Sequence, residues 1–168
     1  HTCAVKANGQ LWCWGEGEHG RLGTGNQNDR RAPYQSNGSN FVDVSAGSQH
    51  TCGLTLDGKA WCWGNPADGR LGNNATSGNY SSPVQVQGGH QFISVQTGWD
   101  HACGLKQNGE AWCWGHGGSG RLGHGATTSS PVPVPVIGGH SFVQITAGGN
   151  FSCGLEANGQ IWCWGHNS

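Results

Sequence analysis

Eight cysteines fall into four pairs: Cys3 and Cys13, Cys52 and Cys62, Cys103 and Cys113, Cys153 and Cys163. The offset within each pair is ten, and the steps from one first cysteine to the next are 49, 51 and 50. A frame this regular marks a repeat protein, whose units bury their apolar faces against their neighbours. The surrounding residues keep the same frame. "HTCAVKANGQLWCWG" returns as "HTCGLTLDGKAWCWG", "HACGLKQNGEAWCWG" and "FSCGLEANGQIWCWG". Three copies continue into "GRLG", a loop of variable length, a Pro-led apolar stretch and a closing element ("FVDVSAG", "FISVQTG", "FVQITAG"). The chain reads as one repeat domain over residues 1–168, with repeats at 1–49, 50–100 and 101–150 and a partial one at 151–168.

Each cysteine segment is expected to form a β-hairpin, because β-prone residues flank a turn signal. If Cys3 faces Cys13, Lys6 faces Gln10 and the loop is Ala7-Asn8-Gly9. A three-residue hairpin loop needs its third residue at positive φ, which Gly adopts without steric cost. Gly stands third in every copy: Gly9, Gly58, Gly109 and Gly159. Turn chemistry and cysteine pairing therefore give the same register. Opposed cysteines in such a pair lie about 4.5–5.5 Å apart at Cα, within disulfide range. Four disulfides are expected, each contributing roughly 2–3 kcal/mol and pointing to an oxidising compartment. Zinc is the rival, but its sites favour closely spaced cysteines converging from two places.

Alternation puts Cys3, Val5, Leu11 and Cys13 on one face of the hairpin, and Ala4, Trp12 and Trp14 on the other. Both faces are apolar, so both need a cover. The second half of each repeat supplies two more short strands. Four strands per ~50 residues, stacked face to face, is an all-β, β-propeller-type pattern with disulfide-stapled hairpins. Gly at 32 of 168 residues and scarce charge suit neither a helical protein nor a charged disordered one, and nine Trp require a core. "PVPVPV" (Pro131–Val136) cannot donate from alternate backbone groups and belongs at a blade edge or in polyproline-like chain.

These residues resemble the regulator of chromosome condensation repeat family, whose repeat reads roughly H-[TS]-[CA]-[AG]-L-x5-G-x-[VL]-[YW]-x-W-G-x-N-x-x-G-Q-L-G, then P-x-x-V, then a strand ending A-G. The resemblance covers essentially the whole chain. It implies a seven-bladed propeller that binds proteins, since relatives act as exchange factors or enzyme inhibitors. The cysteine-bearing form is similar to the secreted branch of the family. Three departures stand out. Arg21, Arg70 and Arg121 replace the family's Gln; the Asn after W-G survives only as Asn65, with Glu16 and His116 elsewhere; and Phe151 replaces the recurring His of His1, His50 and His101.

Three and a fraction repeats do not close a seven-bladed ring, and the smallest propellers use about four blades. Met is absent. The expectation is a segment of a longer repeat protein, with an open filament-like stack or a ring completed by other chains as the alternatives.

Among candidate sites, Gly15, Gly17 and Gly20 of "WGEGEHGRLG" fit G-x-G-x-x-G. That fingerprint needs a following helix and a distant acidic residue. "RLGTGNQN" is no helix, and the copy "GNPADG" lacks the middle Gly. The stretch reads instead as the turn by which a blade's outer hairpin hands the chain on. His1, His50 and His101 read as structural, each bonding a neighbouring blade's backbone. His19, His116, His124 and His166 lie in loops without metal-ligand spacing, and no nucleophile–base–orienter set emerges from the sequence. No metal or other cofactor is expected.

Trp99 is the sole Trp outside W-C-W and sits beside Asp100. Its two readings are a partner contact and packing over the propeller centre. Arg21, Arg70 and Arg121 either bond neighbouring carbonyls or face a partner. Tyr34 and Tyr80 are weaker contact candidates in the variable loops. Sequons occur at Asn37, Asn74, Asn79 and Asn150, the first three in expected loops suited to glycans.

A net charge of −1 without a basic run argues against nucleic acid, and no apolar run spans a membrane. The functional expectation is an extracellular, secreted or surface-displayed, non-enzymatic scaffold that presents variable loops to a macromolecule, with a protein or copies of itself as partner. The alternatives are a structural subunit of an extracellular fibre or coat, and a lectin with Trp99 and the tyrosines as glycan contacts.

Overall fold

The computed structural model describes residues 1–167. It forms four antiparallel sheets. The first joins β1 (Thr2–Val5), β2 (Leu11–Gly15) and β3 (Arg30–Gln35). The second joins β4 (Phe41–Ala46), β5 (His50–Thr55), β6 (Ala60–Gly64) and β7 (Tyr80–Gln85). The third joins β8 (Ser94–Thr97), β9 (His101–Leu105), β10 (Ala111–Gly115) and β11 (Ser130–Pro135). The fourth joins β12 (Phe142–Ala147), β13 (Phe151–Glu156) and β14 (Ile161–Gly165). Within each sheet the strands lie side by side in chain order.

The hairpins have the expected register: Cys3 faces Cys13, Ala4 faces Trp12 and Val5 faces Leu11, and the pattern recurs in each copy. The loop closes through Lys6 N–H to Gln10 O at 2.9 Å and Gly9 N–H to Lys6 O at 2.8 Å, with Gly9 at φ 78°. All four cysteine pairs are disulfide-bonded, with Cα atoms 4.0–4.1 Å apart. That is closer than expected. Counting from the bonded pair Lys6–Gln10, Cys3–Cys13 falls on a non-hydrogen-bonded pair, the closer of the two kinds.

Two details differ from the sequence reading. In the two four-stranded sheets the disulfide hairpin is the middle, because a strand from the preceding repeat pairs on its inner side. The closing element of one repeat thus becomes the first strand of the next sheet, and sheet boundaries are offset from repeat boundaries. This offset links neighbouring sheets covalently. The first strands β4, β8 and β12 lie against one another, at the centre of the stack. Ser45 and Thr97, on β4 and β8, join there by a 2.8 Å hydroxyl bond. The proline-rich β11 is the outermost strand, where a missing donor costs nothing.

The disulfide face of each sheet packs on the tryptophan face of the next. Leu11, Cys13 and Leu22 meet Phe41 and Trp63; the equivalent cluster further along holds Cys52, Cys62, Leu71, Phe92 and Trp114. Trp63 and Trp114 are fully buried. The small residue opposite the first tryptophan has a local cause: a Cβ on Gly53 would sit 2.7 Å from the Phe41 ring. Gly20 also needs to be glycine, with φ 81° and the Ser81 backbone 2.5 Å from where a Cβ would stand. It ends the 3-10 turn Glu18–Gly20, and the turns Ala67–Gly69 and Gly118–Gly120 are its equivalents.

Candidate functional site

Each first strand turns into the second through a short tip loop: residues 46–49, 97–100 and 147–150. The tips interlock by backbone hydrogen bonds. Ser48 N–H donates to Trp99 O at 3.3 Å, and Trp99 N–H donates to Gly149 O at 3.2 Å. The Ser48 hydroxyl also donates to Trp99 O. So close an approach requires glycine at the second tip position, since a Cβ on Gly47 would lie 2.6 Å from Gly98 O. The three tips line a depression of about 350 Å³. On its rim Trp99 is 60% exposed, and its ring lies over Gly149, 3.1 Å from where a Cβ there would stand. Trp99 therefore sits over the tips at the centre of the stack and is open to solvent at the same time.

The 3-10 turns lie at the same end, since Gly64 precedes one of them and pairs with His50 at the start of β5. Each is followed by an arginine whose Nε donates to the carbonyl three residues back: Arg21 to Glu18, Arg70 to Ala67 and Arg121 to Gly118, at 2.8–2.9 Å. The three arginines are buried. Arg21 Nη1 donates to Glu16 Oε2 at 2.9 Å and to Ser48 O, the carbonyl of the next sheet's tip, at 3.2 Å; Nη2 reaches Glu18 Oε2 at 3.4 Å. Arg70 Nη1 donates to Asp100 Oδ1 at 2.7 Å, and Nη2 to Asp68 Oδ2 at 3.3 Å. Asp100 also accepts from the Ser48 hydroxyl at 3.1 Å. Arg21, Arg70, Trp99 and Asp100 thus come together at one end of the molecule. Their arginines bond carbonyls of their own turns and carboxylates, and Arg21 also bonds a carbonyl of the next sheet's tip. Burial lowers the Arg121 pKa, while the Asp100 and Asp68 charges raise it.

Two of the three recurring histidines, His1 and His101, bond across the interface between sheets, to side-chain hydroxyls rather than to the backbone. His1 Nε2 lies 2.8 Å from Thr51 Oγ1, which donates to Arg21 O at 2.8 Å; Trp63 Nε1 donates to that same carbonyl at 3.0 Å. His101, Ser152, Arg121 O and Trp164 repeat the arrangement. Because each hydroxyl proton goes to a carbonyl, the Nε2–H tautomer of the histidine is the donor. At the middle interface the hydroxyl position holds Ala102. There, among the described residues, neither His50 nor Trp114 Nε1 has a side-chain hydrogen-bond partner. Burial first, and the Arg70 charge second, push the His50 pKa down to about 3. Burial first, then the Arg121 charge, take His101 down to about 4.

The other candidates lie elsewhere. Tyr34 is exposed on the outermost strand β3, with the Arg30 guanidinium 4.2 Å from its ring centroid. Tyr80 opens β7 and packs against the core. Asn37, Asn74 and Asn79 are exposed and Asn150 is half-buried. Asn37 Nδ2 donates to Ser82 Oγ at 2.8 Å. Sequence reasoning missed Ser48, Glu16, Glu18 and Asp68 as parts of the tip-end network; only departures from the repeat at these positions could have marked them. Among the described residues, no group of three or more His, Cys, Asp or Glu side chains is arranged to hold a metal ion.

Residues 8–54, 57–105 and 108–155 match the model of the regulator of chromosome condensation (RCC1) repeat. HERC2 of Homo sapiens, an E3 ubiquitin-protein ligase, is 32% identical over 133 residues, covering 76% of this chain and 3% of HERC2. The ultraviolet-B receptor UVR8 of Arabidopsis thaliana is 32% identical over 137 residues, covering 79% of this chain and 31% of UVR8. The chain spans less than a third of the length of either relative. Among solved structures, human WBSCR16 superposes with a TM-score of 0.88 at 20% identity, over 98% of this chain and 45% of that one. Yeast RCC1 (Prp20), in a complex with Kap60, gives 0.85 at 20% identity, over 97% and 41%. The ectodomain of the Physcomitrella patens receptor kinase CR4 gives 0.58 at 25% identity, over 97% and 38%.

Proposed function

The chain belongs to the regulator of chromosome condensation (RCC1) repeat family, and from that premise we propose that it is an extracellular, non-enzymatic scaffold whose tip loops bind a protein around Trp99. The observation that carries this reading is an exposed tryptophan on a fixed backbone. Trp99 is 60% exposed, while its N–H and C=O are both bonded to neighbouring tips. An aromatic anchor already held in place loses little conformational freedom on binding. A protein that shares the fold binds proteins: yeast RCC1 (Prp20) forms a complex with Kap60 and has binding properties toward Gsp1p and histones. Asp100, next to Trp99, and Glu16, at the same end of the molecule, are ion-paired to arginines that brace turns, an arrangement that stiffens loops rather than holding a proton for transfer. Four disulfides and the likeness to a receptor ectodomain support the extracellular assignment.

A photo-crosslinking residue at position 99 tests this. The same residue at Leu56, 81% exposed in a hairpin loop at the opposite end, serves as the control. A protein adduct from extracellular fluid at 99 and not at 56 is the expected result. Equal labelling at both ends, or labelling of glycan alone, overturns the proposal.

A further inference from the structure

Resting on the reading of the tip loops as a protein-binding surface, we propose that Arg121, at the same end of the molecule as Trp99, is the receptor for a carboxylate side chain of an acidic segment in the partner. Three equivalent arginines follow three equivalent turns, yet they are not equally satisfied. Arg21 holds Glu16 and Glu18, and Arg70 holds Asp68 and Asp100. The positions matching those acids in the third copy carry His116, Gly118, Ser119 and Asn150. The Arg121 Nε bonds Gly118 O, and among the described residues its two terminal nitrogens make no hydrogen bond or ion pair. Arg121 is nonetheless only 6% exposed. Asp100 and Asp68 act on it through space without touching it.

A carboxylate can approach such a guanidinium from solvent. The four acids that reach Arg21 and Arg70 do so with side chains 36–59% exposed, against arginine side chains that are 5–6% exposed. The third site thus has the cation, its turn and its solvent-side approach, and lacks only the acid. Its fork geometry suits a bidentate carboxylate. The neighbouring surface supplies an anchor. Trp99 lies over Gly149, and the next residue, Asn150, occupies the position that Asp100 holds against Arg70.

The test uses hexaglutamate as probe and hexaglutamine as control, followed by the NMR signal of the Arg121 Nε–H and by titration. Hexaglutamate is expected to shift that signal and hexaglutamine to leave it in place, with binding weakening as salt rises. Asn150→Asp rebuilds the Asp100–Arg70 pair inside the protein and is expected to weaken hexaglutamate binding at least ten-fold. Asn150→Ala, which removes the amide without adding charge, is expected to stay within two-fold of the parent. No shift with hexaglutamate, or equal binding by the Asp and Ala variants, overturns the proposal. If hexaglutamate fails while the position-99 adduct still forms, the carboxylate site falls and the tip-surface reading stands. If the adduct also fails, both fall.

Discussion

Arg70 Nη1 donates to Asp100 Oδ1 at 2.7 Å, tying the 3-10 turn of one sheet to the tip loop of the next. The bond spans the interface between sheets and fixes the residue beside Trp99. Asp100→Ala is expected to cost about 1–2 kcal/mol: the acid is partly exposed, which limits the loss, but a buried guanidinium is left with fewer acceptors. Chemical denaturation of the variant measures it. A midpoint equal to the parent's would mean that the pair does not brace the tip.

Ala102→Ser is expected to stabilise the protein by about 1 kcal/mol. It places a hydroxyl where Thr51 and Ser152 stand at the equivalent interfaces, within the reach of His50 and of Arg70 O. The thermal midpoint should rise; a fall would show that the hydroxyl does not enter the relay.

Acid should destabilise the stack through His50 and His101. Both have folded pKa values below the ordinary 6.5, so the unfolded chain takes up protons first as the pH drops. The stabilisation from neutral histidine is complete above about pH 6.5 and declines toward pH 3–4. Each histidine contributes a slope of up to about 1.4 kcal/mol per pH unit. Denaturation midpoints at pH 7 and pH 5 check this. His50→Phe, which places at this position the residue that Phe151 supplies in the last repeat, should flatten the profile. An unchanged slope would assign the acid sensitivity to other groups.

Ser119 sits at φ 60°, the same left-handed conformation that His19 and Asp68 adopt in the equivalent turns. Ser119→Gly relieves that backbone and is expected to add about 0.5–1 kcal/mol. The reverse holds one residue later in the second turn. Gly69→Ala, at φ 79° and against the Pro131 backbone, should be strongly destabilising. Parallel melts of the two variants compare them, and shifts of the same sign would contradict this account of the turn.

The hairpins were legible in the sequence because two local signals coincide, the cysteine offset and the third-position glycine of the loop. The sheet boundary was not. Val44 pairs with Gly53 across a repeat boundary, and nothing local distinguishes a closing strand that ends one sheet from one that begins the next. The arginines were legible as departures from the family, whereas their surroundings were not, because Asp100 lies 30 residues from Arg70. The break in the histidine relay was visible as Thr2, Thr51, Ala102 and Ser152 in one column. Its meaning required knowing that each hydroxyl serves the histidine of the preceding sheet.

The central claim is that Trp99 anchors a protein partner. Once the position-99 adduct identifies that protein, its affinity for the parent and for Trp99→Ala is the deciding measurement. A loss of at least ten-fold with an unchanged melting temperature is expected, because Trp99 is largely outside the core. Equal affinity for the two proteins would contradict the account.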